Sequence, residues 1–251
     1  MQVAHSAVIV TGGASGIGAA TAELLAKEDA EVFVLDLKQS IDAADRVRGV
    51  EYLPTDVTSP EEVRAAVATA AAGLPLRAVV NCAGIGPSAR ILDGNGVHDL
   101  DLYARVVQVN LVGTFNVLAL AAEAIARTEP DEHGQRGVIV NTASVAAYEG
   151  QIGQAAYSSA TSGVVGLTLP AARDLARYGI RVNAIAPGVV EPPAGLREGP
   201  VAGVPFPRRP ARPDEYAHLA LTIIHHDYLN GEVIRMDGAL RAAHAHAAGP
   251  E

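Results

Sequence analysis

The sequence predicts an α/β fold, a doubly wound parallel sheet forming one domain, on three observations. Short β-rich runs alternate with longer Ala-rich helical stretches along the chain, which implies βαβ crossovers and a sheet covered on both faces. The first strand runs into a glycine-rich turn that opens a helix, Thr11-Gly12-Gly13-Ala14-Ser15-Gly16-Ile17-Gly18. The length of 251 residues at 49% hydrophobic content suffices for one substantial core.

Taken in order, Ala7–Thr11 reads as a strand and Gly16–Lys27 as the helix after the glycine turn. Glu31–Leu35 is the second strand, followed by helix Pro60–Ala72, whose proline suits a first helical turn. Strand Arg77–Asn81, helix Leu102–Arg127, strand Gly137–Thr142, helix Gln154–Tyr178 and strand Arg181–Ile185 continue the alternation. Helix Pro213–His226 and a last strand, Glu232–Met236, introduced by the Asn230-Gly231 turn, complete it. Residues 188–212 break the rhythm: they are proline-rich and aperiodic, and are expected to form a loop over the ligand crevice at the carboxyl edge of the sheet. Residues 242–251, with His244 and His246, read as a flexible tail rather than a metal site. No metal is expected.

Composition narrows the function classes. A formal charge of −9 and scattered arginines disfavour a nucleic-acid surface. No uninterrupted apolar run reaches the roughly 18 residues of a membrane span, and Met1–Ser6 leads straight into a strand, so a cytoplasmic protein without a membrane partner is expected. The single cysteine, Cys82, reads as a buried small residue. A small-molecule substrate is the remaining expectation.

The glycine turn permits a tight bend and close approach of a pyrophosphate to backbone N–H groups, where the helix N-terminus favours negative charge. Gly12, Ser15, Gly16, Ile17 and Gly18 are therefore candidate dinucleotide contacts. Asp36 ends the second strand about 20 residues later, where a carboxylate accepts hydrogen bonds from ribose hydroxyls and repels a 2′-phosphate. NAD(H) is thus expected over NADP(H), with Lys38 partly offsetting the repulsion.

Further segments carry a resemblance. Asp56-Val57, Asn81-Cys82-Ala83-Gly84, Asn110, Ser144 and Tyr157 thirteen residues apart, Arg181-Val182-Asn183 and Pro187-Gly188 together resemble the short-chain dehydrogenases/reductases over nearly the whole chain. Residues 137–147, 153–157, 204–207, 214–218 and 229–235 look most like the type 2 3-hydroxyacyl-CoA dehydrogenases, which also oxidise hydroxysteroids and form tetramers. The resemblance implies a Rossmann-type sheet of seven strands, a homotetramer, and NAD-dependent interconversion of a secondary alcohol and a ketone on a 3-hydroxyacyl-CoA or hydrophobic alcohol. It places Asp56 and Val57 at the adenine. Asn81, Ala83, Gly84, Tyr157, Pro187, Gly188 and Val189 also fall at the cofactor. Tyr157 becomes the general acid/base, Ser144 the group that orients the carbonyl, and Asn110 part of a proton relay.

The chain departs from the family pattern in two places. Thr161 stands four residues after Tyr157, on the same helix face, where the family uses a lysine to bind the nicotinamide ribose and lower the tyrosine pKa. Threonine can hydrogen-bond a ribose but carries no charge. The only lysines, Lys27 and Lys38, lie far along the chain from it. Pro192 stands where the family commonly has a carboxamide-binding threonine, and proline offers no donor. Two readings stay open: a working NAD-dependent oxidoreductase with an atypical site, or a protein of the same fold that binds NAD(H) but is redox-impaired or performs non-redox biosynthetic chemistry.

Overall fold

A computed structural model describes residues 1–94, 96–192 and 203–241. In chain order the elements are β1 (Ala7–Thr11), α1 (Gly16–Lys27), β2 (Glu31–Asp36), α2 (Lys38–Ala43), β3 (Val50–Pro54), α3 (Pro60–Ala70) and β4 (Leu76–Asn81). A small hairpin, β5 (Leu92–Asp93) and β6 (Gly96–Val97), precedes α4 (Leu100–Val107). A π-helical segment, Gln108–Gly113, joins α4 to α5 (Thr114–Ile125). Then come β7 (Gly137–Thr142), α6 (Ala146–Glu149), α7 (Ala155–Leu175), a 3₁₀ turn at Ala176–Tyr178, β8 (Ile180–Pro187), α8 (Pro213–His225) and β9 (Val233–Met236).

Seven strands form one sheet in the order β3-β2-β1-β4-β7-β8-β9, and every pairing within it is parallel. Side chains of a strand alternate between faces, and here both sets are apolar. Val8, Val10, Val32, Val34, Val80 and Val140 pack with Leu25 of α1 and Ile223 of α8 on one side. Ile9, Phe33, Leu35, Val79 and Ile139 pack with Val63 of α3, Val117 and Ile125 of α5 and Ala172 of α7 on the other. This double burial makes the strands nearly continuous hydrophobic runs. The arrangement is a three-layer Rossmann-type domain.

Arg181 locks β8 to α8. Its buried guanidinium donates to the carbonyls of Ile223, Ile224 and Leu229 at 2.7–3.0 Å and to Gln135 Oε1 at 3.0 Å. The first two carbonyls end α8, where a cation is favourable. Burial lowers the pKa of Arg181 from its usual value.

The structure departs from the sequence expectations at particular elements. The strand β3, absent from the pattern of runs, is a sheet edge with no fully buried residue, so it lacks the apolar signature of the central strands. The helix expected over residues 102–127 is not uniform. It begins at Leu100 and widens into the π segment Gln108–Gly113, a feature that re-aims side chains at functional sites. The stretch Leu100–Ile125 has the length and mean hydropathy, 1.4, of a membrane span. Its buried residues, including Val106, Val117, Leu118 and Ile125, serve the cores of the domain. Part of the proline-rich loop and the whole tail 242–251, with His244 and His246, lie outside the described residues.

Candidate active site

The chain passes from β1 outward to β2 and β3, then returns to start β4 on the other side of β1. At this switch point the carboxyl ends of β1 and β4 sit side by side, Thr11 opposite Asn81. The loops leaving them diverge, which opens a crevice. A cavity of about 710 Å³ occupies it.

The glycine turn forms one wall because no other residue fits. A Cβ on Gly12, at φ +65°, would stand 2.8 Å from the Ala83 backbone, and one on Gly18 would stand 2.2 Å from the Gly12 carbonyl oxygen. The turn is thus clamped between β4 and α1, with Gly12, Ser15, Gly16, Ile17 and Gly18 lining the cavity. Ser15 is the N-cap of α1 and its hydroxyl makes no capping bond, which leaves the end of the helix open to an anion. Asp36 shapes the other wall: its carboxylate accepts from Ala14 N at 3.0 Å and Leu37 N at 2.8 Å, fixing a negative charge beside the turn. Lys38 does not offset it, since its ammonium pairs with Asp42 at 2.8 Å. Asp56 and Val57 line the same cavity with Ser40 and Thr58. Asp56 Oδ1 accepts from Thr58 N and Oγ1 at 2.9 and 2.8 Å. The donor-rich turn, open helix end and strand-end carboxylate fit a dinucleotide. Gly18→Ala is expected to weaken NADH binding by more than about tenfold, because its Cβ forces the turn apart. A fluorescence titration checks this, and unchanged affinity contradicts it.

A second cavity, about 310 Å³, continues from the first past Gly16, Ile17, Cys82, Ala83, Gly84 and Ile85. Its wall holds Asn110, Ser144, Tyr157, Thr161, Pro187 and Gly188. Ser144, buried after β7, accepts from Ala146 N at 3.1 Å and lines the cavity together with Tyr157. Burial of Tyr157 pushes its pKa above the ordinary tyrosine value, and the Ser144 hydroxyl opposes this only partly. No cation faces it from Thr161, whose hydroxyl is buried and donates to the Tyr157 carbonyl at 2.9 Å. Its proton is therefore spent on its own helix, leaving only acceptor capacity for a ribose.

Asn110 lies in the π segment with both side-chain atoms engaged: Oδ1 accepts from Ile85 N and Nδ2 donates to Ile85 O, each at 2.8 Å. The side chain therefore holds the turn after β4 in place. Asn81 and Val189 line neither cavity. Asn81 sits behind the crevice, its amide donating to Asn141 Oδ1 at 2.9 Å. Val189 turns its carbonyl to Ala211 N, also at 2.9 Å. Cys82 lines both cavities, but burial pushes its thiol up to about 11, so it is no thiolate at neutral pH.

Sequence reasoning did not single out Arg105, Gln108 and Glu191. Arg105 of α4 and Gln108 of the π segment reach the larger cavity, and Glu191 reaches the smaller one from the segment after β8. No spacing rule connects them to the glycine turn, since tertiary folding alone brings them there.

Comparison with known proteins places these features. The short chain dehydrogenase family model matches residues 6–198. The 3-hydroxyacyl-CoA dehydrogenase type-2 of Bos taurus is 48% identical over 245 residues, covering 93% of this chain and 94% of that protein. The ipsdienol dehydrogenase of Ips pini is 34% identical, covering 96% and 99%. A crystal structure of 3-hydroxyacyl-CoA dehydrogenase type-2 from Mycobacterium avium superimposes with a TM-score of 0.87 at 42% identity, covering 95% of this chain and 97% of that one. With the family model spanning most of its length and relatives of this similarity over nearly all of it, the chain belongs to the short-chain dehydrogenases and is an oxidoreductase of the dehydrogenase/reductase type.

Proposed function

We propose that the protein is an NAD(H)-dependent oxidoreductase that interconverts a secondary alcohol and a ketone on a 3-hydroxyacyl-CoA or another hydrophobic alcohol, with an atypical active site. The observation that carries this is that Ser144 and Tyr157 both line a cavity continuous with the dinucleotide crevice. NAD(H), when bound, supplies or accepts the hydride. The chain's own part is to hold that cofactor through the glycine turn and Asp36, and to place two hydroxyls where the substrate oxygen would lie. Ser144 orients that oxygen, and Tyr157 gives its phenolic proton during reduction or takes one back during oxidation. Because the Tyr157 pKa is raised, the phenol is protonated across the neutral range. Ketone reduction thus starts from the correct form, whereas alcohol oxidation needs a scarce phenolate and should accelerate as pH rises.

The Asp36 carboxylate supports NAD(H) over NADP(H), since a 2′-phosphate beside it would meet like charge with Lys38 turned away. Half-exposed Phe115, in a groove with Leu118 and Leu167 between α5 and α7, supports assembly into a homotetramer. A cytoplasmic location is part of the same proposal. Steady-state rates with acetoacetyl-CoA and a panel of hydrophobic ketones test the activity. Faster turnover with NADH than with NADPH is expected, and faster turnover with NADPH would overturn the cofactor assignment.

The alternative, a family member that binds NAD(H) but is redox-impaired or turned to non-redox chemistry, is favoured by one observation. The position one helical turn after Tyr157 holds no charge. It predicts binding of NADH without turnover on any ketone.

A further inference from the structure

We propose that Glu191 makes the smaller cavity selective for positive charge, so that the protein binds the oxidised, cationic nicotinamide in preference to the reduced, neutral one. This rests on the dinucleotide reading given above. Among the described residues lining that cavity, Glu191 is the one carboxylate, and no lysine, arginine or histidine lines it. Cys82 and Tyr157 are both held in their neutral forms by burial, and Ser144, Asn110 and Thr161 are neutral by nature.

The backbone that carries this residue is fixed. Glu191 lies in the segment after β8, its backbone N–H donates to Ala211 O at 2.9 Å, and its neighbour Val190 bridges to Ala211. Arg209 attracts the carboxylate from outside but is itself held by a two-pronged pair with Glu215, both contacts 2.8 Å. Arg212 is likewise held by Asp214 at 3.0 Å. Both guanidiniums are thus held on other carboxylates, and neither is tied up on Glu191. A space of about 310 Å³ keeps any occupant within one screening length of it. Both redox forms carry the same phosphates and riboses, so only the ring charge distinguishes them.

Calorimetric titrations of NAD⁺, NADH and ADP-ribose into the natural protein, Glu191→Gln and Glu191→Asp test the proposal. Glu191→Gln is expected to weaken NAD⁺ about five- to tenfold, with NADH and ADP-ribose changed less than about twofold. Glu191→Asp is expected to keep the natural preference. Retained ADP-ribose binding reports that a variant is folded with its dinucleotide crevice intact. Equal shifts for NAD⁺ and NADH, or no shift of either, would overturn the role of Glu191 while leaving the dinucleotide reading in place. Failure of the natural protein to bind ADP-ribose would overturn both.

Discussion

Thr161→Lys is expected to raise the rate of alcohol oxidation near neutral pH by about 10²–10³-fold and to move its alkaline rise to lower pH by roughly three units. The magnitude follows from charge alone. A unit charge about 4 Å from the phenolic oxygen is worth about 4 kcal/mol at an effective dielectric near 20, or roughly three pKa units. Among the described residues only the Ser144 hydroxyl counters the desolvation of Tyr157, and the pKa is raised. Thr161 lines the cavity, so a longer side chain has space to extend into. The new ammonium would favour the phenolate, which is the base that alcohol oxidation requires. Rate–pH profiles of the two proteins check this; profiles that superimpose would show that position 161 has no electrostatic say over Tyr157.

Tyr157→Phe removes the phenolic hydroxyl from the cavity that Ser144 also lines. Turnover is expected to fall by about 10²–10⁴-fold in either direction, while NADH affinity changes little. The lost proton donor cannot be replaced from nearby. Asn110 has both side-chain atoms on Ile85, the Thr161 proton points to the Tyr157 carbonyl, and the Cys82 thiol is turned to the Tyr216 hydroxyl at 3.9 Å. Steady-state kinetics together with an NADH titration separate loss of chemistry from loss of binding. Unchanged turnover would remove Tyr157 from its role.

Much of this was legible before folding. The central strands are buried on both faces, so β1, β4 and β7 declare themselves as apolar runs, and their ends fall within a residue of the expected positions. The edge strand β3 shows no fully buried residue and so gives little periodic signal. The crevice residues that follow a local rule, the glycine turn and the acid ending β2, were likewise readable. Those that depend on three-dimensional detail were not. The π segment at Gln108–Gly113 looks like ordinary helix in sequence, and the withdrawal of Asn81 behind the crevice depends on its partner Asn141 from another strand. Thr161 was legible as an absence of charge. That its hydroxyl proton turns to its own helix could be seen only in the structure, and it deepens the contrast with a ribose-binding lysine.

The most direct test of the central claim, a dehydrogenase working through Tyr157 with the uncharged Thr161 one helical turn on, is a fluorescence titration of the natural protein with NADH. Acetoacetyl-CoA is then added in the same cuvette. The account predicts saturable binding followed by slow consumption of the bound NADH, whose rate is steady across the neutral range because Tyr157 stays protonated. Saturable binding with no consumption, on this substrate and across a panel of hydrophobic ketones, would contradict it and leave the redox-impaired reading standing.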